Sequence, residues 1–124
     1  MRKIQIISFF LSLTFFAPAQ SNAIDAKAVA KAQIEKYRER VIKGEKMEDL
    51  ARAYSEDKAS ALKGGLILNV KKGQMDPEFE KVAFSLKQGQ VSEVFETVYG
   101  YHFIQLVRKH GELVDVRHLL IIPN

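Results

Sequence analysis

Between residues 26 and 43 the apolar positions Ala30, Ile34, Tyr37 and Val41 recur at helical spacing, with Lys, Glu and Arg around them. That pattern predicts an amphipathic helix from Ala26 to about Lys43, closed by Gly44 as a C-terminal cap. Met47, Leu50, Ala51 and Tyr54 share a face in "KMEDLARAYS" and predict a second helix. The periodicity then stops, and residues 55–65 read as a loop ending in Gly64-Gly65, a pair able to take backbone angles that other residues resist.

The second half of the chain changes period. "LILNV", residues 66–70, is a short apolar run suited to a buried strand. "KKGQM" reads as a turn. Asp76 and Pro77 then supply an N-cap and an N1 proline for a third helix with Phe79, Val82, Ala83 and Leu86 on one face. "KQGQ" breaks the chain before "VSEVFETV". Two long strands, "YHFIQLVRK" and "LVDVRHLLII", flank "HGE" and predict a hairpin. Two helices, a strand, a helix and then strands define an α+β domain built on an antiparallel sheet.

The hairpin fixes which side chains share a face. A turn centred on Gly111 pairs Ile104 with His118 and His102 with Leu120. One face then carries His102, Ile104, Leu106, Val114, Val116, His118, Leu120 and Ile122: apolar except for two imidazoles about 7–8 Å apart at the backbone. Unpaired polar groups buried there would each cost about 1–3 kcal/mol, so the histidines need partners, and Asp57, Thr97 and each other are the candidates. A zinc site lacks a third and fourth soft ligand at usable spacing. His110, beside Gly111, reads as a solvated loop residue.

The N-terminus stands apart. Arg2 and Lys3, an apolar run from Ile4 to Phe16 and the small-residue stretches "APA" and "SNA" have the order of a secretory signal peptide. It ends at residue 19, or alternatively at 23. Without Arg2 and Lys3 the formal charge of +4 falls to +2, and no basic cluster points to nucleic acid. The apolar run is short for a membrane span, so no stable insertion is expected after cleavage. Zero cysteines exclude disulfides and thiol chemistry.

"YSED…KGG", "KKGQMDPEFEKVAFSLKQGQVSE" and "ETVYGYHFIQL", taken in this order, resemble the parvulin (PpiC-type) peptidyl-prolyl cis–trans isomerases from about Ile24 to Lys109. The resemblance implies a four-stranded antiparallel sheet surrounded by helices. It implies a hydrogen-bonded catalytic set of Asp57, Thr97 and His102, and substrate contacts from Ile67, Met75, Phe79 and Tyr99, with Met75 and Phe79 receiving the proline ring. No metal or other cofactor is implied, and the partners are unfolded or proline-containing polypeptides.

Two departures matter. Parvulins usually continue the Gly-Gly with Asp-Leu-Gly and an aromatic, where this chain has "LILNV". They also open with a strand carrying His-Ile-Leu, which is absent before the first helix here. "RHLLI" at the C-terminus has the matching local pattern. Residues 110–124 are therefore either the strand that completes the sheet, with His118 joining the catalytic set, or the stub of a second domain; residues 24–109 are the domain itself. The expected function is an exported isomerase of the periplasm or cell envelope that assists folding. The alternative is a catalytically weak chaperone module holding proline-containing segments.

Overall fold

A computed structural model describes residues 22–124; the signal-peptide reading of the first 19 residues lies outside them. The elements are α1 (Asn22–Ile42), α2 (Met47–Tyr54), α3 (Lys58–Ala61), β1 (Leu66–Val70), α4 (Pro77–Ser85), β2 (Phe95–Thr97), β3 (Gly100–His110) and β4 (Leu113–Ile121). The strands form one antiparallel sheet in the order β1-β4-β3-β2. The last strand in sequence thus occupies an interior place.

Both faces of the sheet are covered. Ala30, Ile34 and Tyr37 of α1 and Met47 and Leu50 of α2 pack on Tyr101, Phe103, Leu119 and Ile121. On the opposite face Phe79 and Ala83 of α4 pack, with Leu86, on Ile104, Leu106, Val114 and Val116. The two strand parities therefore feed two cores, and the histidine face belongs to α4. Tyr54 leaves the α2 stripe half-open and stacks on Tyr37 with ring centroids 4.4 Å apart. Asp76 caps α4 through Oδ1, which accepts from the Glu78 and Phe79 amides, and Pro77 follows at the first turn as the sequence implies.

Ile104 opposes His118 and His102 opposes Leu120, the expected register, but by a different route. The turn is centred between Gly111 and Glu112 instead of on Gly111, and pairs His110 with Leu113. An extra residue between Leu106 and Arg108, opposite the step from Val116 to Asp115, then restores the other register. The bulge turns Arg108 and His110 toward Asp115, which is 2 % exposed. Its carboxylate accepts from Arg108 Nε at 2.9 Å, from His110 Nε2 at 3.0 Å and from the Asn69 amide at 2.7 Å. His110 is therefore the last residue of β3 and bonded, not a solvated loop residue.

Other expectations need correction. Residues 55–65 are not all loop, because α3 makes one short turn within them. β1 is an edge strand and only partly buried; Leu68 is exposed, and Asn69 takes φ 58° at an irregularity that brings its amide to Asp115. "VSEVFETV" yields only the three residues of β2 and a single bridge from Val91 to Gln105. Ile122 lies past the end of β4 and is 44 % exposed, outside the apolar face.

Candidate active site

The segment before α3 explains why a carboxylate past the end of a helix is not a solvated bystander. The β1 pairing covers β4 only as far as Arg117. Beyond it residues 55–65 act as a strap: the Leu120 amide donates to Ser55 Oγ at 3.1 Å, the Glu56 amide to the Leu120 carbonyl at 2.7 Å, and the His118 amide to the Gly65 carbonyl at 2.9 Å. Gly65, at φ 80°, is what lets the strap lie flat. A Cβ there would stand 2.4 Å from the His118 carbonyl oxygen, a contact no side chain tolerates. The strap delivers Asp57 to the inward face of β4 beside His118.

Four polar side chains then form one chain of hydrogen bonds. His118 Nε2 lies 2.7 Å from Asp57 Oδ2, the two Nδ1 atoms of His118 and His102 are 3.4 Å apart, and His102 Nε2 is 2.7 Å from Thr97 Oγ1. Ser60 Oγ donates to Asp57 Oδ2 at 2.6 Å, and the Tyr99 amide donates to Thr97 Oγ1 at 3.1 Å. The hydrogen bond from His118 is the main reason the Asp57 carboxyl sits at about 2, below its usual 3.8, with Ser60 adding to it against the cost of burial. Burial, and then the neighbouring His118 ring, push the His102 imidazole down from 6.5 to about 4.

Those conditions fix one proton arrangement in the neutral site. Ionised Asp57 only accepts, so His118 Nε2 carries its proton and His118 Nδ1 is left with a lone pair. His102 Nδ1–H must then donate to it, which makes His102 Nε2 the acceptor for the Thr97 hydroxyl. The direction runs unbroken from the Tyr99 amide to Asp57, with both nitrogens of both rings engaged.

Apolar groups close around this chain. The Phe79 ring stands edge-on to His102 and His118 at centroid distances of 5.8 and 5.4 Å, and Phe95 stacks on His102 at 5.2 Å. In front of the imidazoles is a cleft of about 300 Å³ lined by Ile67, Met75, Phe79 and Leu120 together with Asp57, Thr97, Tyr99 and both histidines. All eight sequence-predicted site residues meet there: Asp57, Ile67, Met75, Phe79, Thr97, Tyr99, His102 and His118. Sequence reasoning missed Ser60, Leu120 and Asp76. Ser60 could have been found as the residue one helical turn after Asp57; Leu120 could have been found as the cross-strand partner of His102.

Fold and cleft define an α+β domain with a hydrogen-bonded histidine pair at the back of an apolar pocket. The family model described as the PPIC-type PPIASE domain matches residues 15–108, and the chain belongs to that family of peptidyl-prolyl isomerase domains. "Foldase protein PrsA" of Bacillus subtilis (strain 168) is 42% identical over 87 residues, covering 70% of this chain and 30% of the relative. "Chaperone SurA" of Nitrosococcus oceani is 42% identical over 80 residues, covering 64% and 19%. Among solved structures, PrsA from Bacillus subtilis superimposes with a TM-score of 0.60 at 49% identity, over 65% of this chain and 32% of that one. Peptidylprolyl isomerase (PrsA) from Bacillus cereus gives 0.63 at 36% identity, over 66% and 32%. The chain thus spans less than a third of the length of these relatives. The family match stops before β4, the strand that carries His118.

Proposed function

We propose that the chain is a peptidyl-prolyl cis–trans isomerase exported to the periplasm or cell envelope, where it assists the folding of proline-containing polypeptides. The observation that supports it most is the single hydrogen-bonded chain Thr97–His102–His118–Asp57 behind an apolar cleft of about 300 Å³.

The barrier to rotation is about 18–20 kcal/mol because amide resonance must be lost. The planar amide carries charge separation between oxygen and nitrogen; the twisted amide carries less. A cleft walled by Ile67, Met75, Phe79 and Leu120 solvates the planar form poorly and so favours the twisted one relative to water. Met75 and Phe79 grip the ring while the chain on the other side of the bond turns. The polar residues keep a fixed field, because their protons are already committed to one another. Rotation about the bond requires no covalent step, so Asp57 and Ser60 need act only through their hydrogen bonds. In this reading β4 belongs to the domain of residues 24–109 and residues 110–124 are no stub.

Export rests on the leader-like first 19 residues, and the folding role on relatives named a foldase and a chaperone. Among the described residues no helix is long and apolar enough to cross a membrane. The test is exchange of a short Xaa-Pro peptide, followed by NMR line shape, with the protein and with His118→Ala. Acceleration that falls at least tenfold in the variant supports the proposal. Peptide binding without acceleration by the parent protein would replace it with a proline-binding chaperone module.

A further inference from the structure

The charges around the cleft are one-sided. Apart from the two imidazoles, its charged lining residues are Asp57 and Asp76. Each commits a single oxygen: Asp57 Oδ2 to Ser60 and His118, Asp76 Oδ1 to the Glu78 and Phe79 amides. The second oxygen of Asp76 has no hydrogen-bond partner among the described residues. Through Asp76 and Thr97 the cleft runs into a shallow groove that adds Glu78 and Lys81 of α4 and Glu96 of β2. Lys81 stands 3.8 Å from Glu78, a loose surface pair. Glu96 is met by Lys27 of α1 at 2.9 Å, with both side chains about half exposed.

Four carboxylates against two lysines, Lys81 and Lys27, along this track contrast with the formal charge of +4 for the whole chain. Lys71, Lys72 and Lys109 stand together beside the β3–β4 turn, at the other end of these strands. Asp76 also reaches the interior of the cleft electrically, since its charge favours the protonated form of His102. The groove floor offers apolar support beside the carboxylates: Pro77, and Val98 at 87 % exposure. A long cationic side chain matches such a surface, laying its methylenes on the apolar part and its charge against the acids.

Resting on the isomerase reading above, we propose that the cleft selects proline segments with Lys or Arg next to the proline, and that Asp76 is the specificity-determining residue, supported by Glu96. Asp or Glu at the same place brings like charges together and is disfavoured, as is a phosphorylated residue.

The test uses short peptides with Lys, Ala or Glu immediately before proline, and a second set with the same residues immediately after it. At low salt kcat/KM for Lys exceeds that for Glu about tenfold in at least one set, and 0.5 M NaCl compresses the ratio toward one. Asp76→Asn keeps an N-cap for α4 and lowers the ratio about threefold; adding Glu96→Gln lowers it further. The ratio is the readout, so a general change in rate does not mimic the effect. Equal kcat/KM for Lys and Glu in both sets, or a ratio unmoved by the two substitutions, overturns the inference while acceleration of the Ala peptide leaves the isomerase reading standing. Should no peptide be accelerated, the isomerase reading fails by itself. Peptide Kd values from shifts of the Thr97 and Tyr99 amides then decide the charge preference, tighter Lys supporting it and equal affinities overturning it.

Discussion

Acid should destabilise this fold in a pH window set by one histidine. His102 is 4 % exposed, faced by Phe79 and Phe95, and its pKa is lowered from 6.5 to about 4 chiefly by burial. Between those values the unfolded chain binds a proton that the folded chain does not, so stability rises with pH across the window and is lost as pH falls through it. That separation corresponds to about 3 kcal/mol at full effect, most of which would be lost between pH 7.5 and pH 4.5. Urea unfolding at the two pH values measures the loss, and the His102 ring proton followed by NMR assigns it. Asp57 and Asp115, both held at about 2, protonate below the window and do not contribute to it. A His102 ring that titrates near 6.5 in the folded protein would refute the reasoning, because the imidazole would then be hydrated and the single proton arrangement of the site would not hold.

Four further outcomes follow from the same contacts. In a double-mutant cycle of Asp57→Ala and His118→Ala, the losses in exchange rate should be non-additive by about 1–3 kcal/mol, since each removes the other's partner; additivity would show that the two act independently. Gly65→Ala should cost about 2 kcal/mol or more in urea melts, because φ 80° and the His118 carbonyl 2.4 Å away leave no space for a methyl group. Asp115→Ala leaves the Asn69 amide and Arg108 without their acceptor and should destabilise by about 3 kcal/mol, read by the same melts. A chain ending at Lys109 should lose its cooperative thermal transition, because it lacks the strand that pairs with both β1 and β3; a cooperative melt would show that residues 110–124 are dispensable to the fold.

Much of the fold was legible in the sequence because local rules and the tertiary structure agree there. Ala30, Ile34 and Tyr37 announce a buried helical stripe and Asp76-Pro77 announces a helix start, whereas His102 and His118 share a face only because the bulge after Leu106 offsets a turn centred half a residue beyond Gly111. The failures have physical causes. Residues 107–111 satisfy two registers, and the choice depended on Asp115 collecting Arg108, His110 and the Asn69 amide in one buried place, which no local pattern reveals. "LILNV" is as apolar as a central strand, but it lies at the edge because β4 takes the interior position.

By itself the sequence determined the α+β class and the residue types that line the cleft, since periodicity and motif order are properties of the chain. Only the tertiary structure decided where the C-terminal strand lies and what Asp57 does. Both depend on contacts between residues about sixty positions apart: Ser55 and Glu56 on Leu120, Gly65 on the His118 amide, and Asp57 on the His118 ring. Pairings of that span are set by which strand edge is left without hydrogen bonds once the core has closed, and that is a property of the assembled sheet.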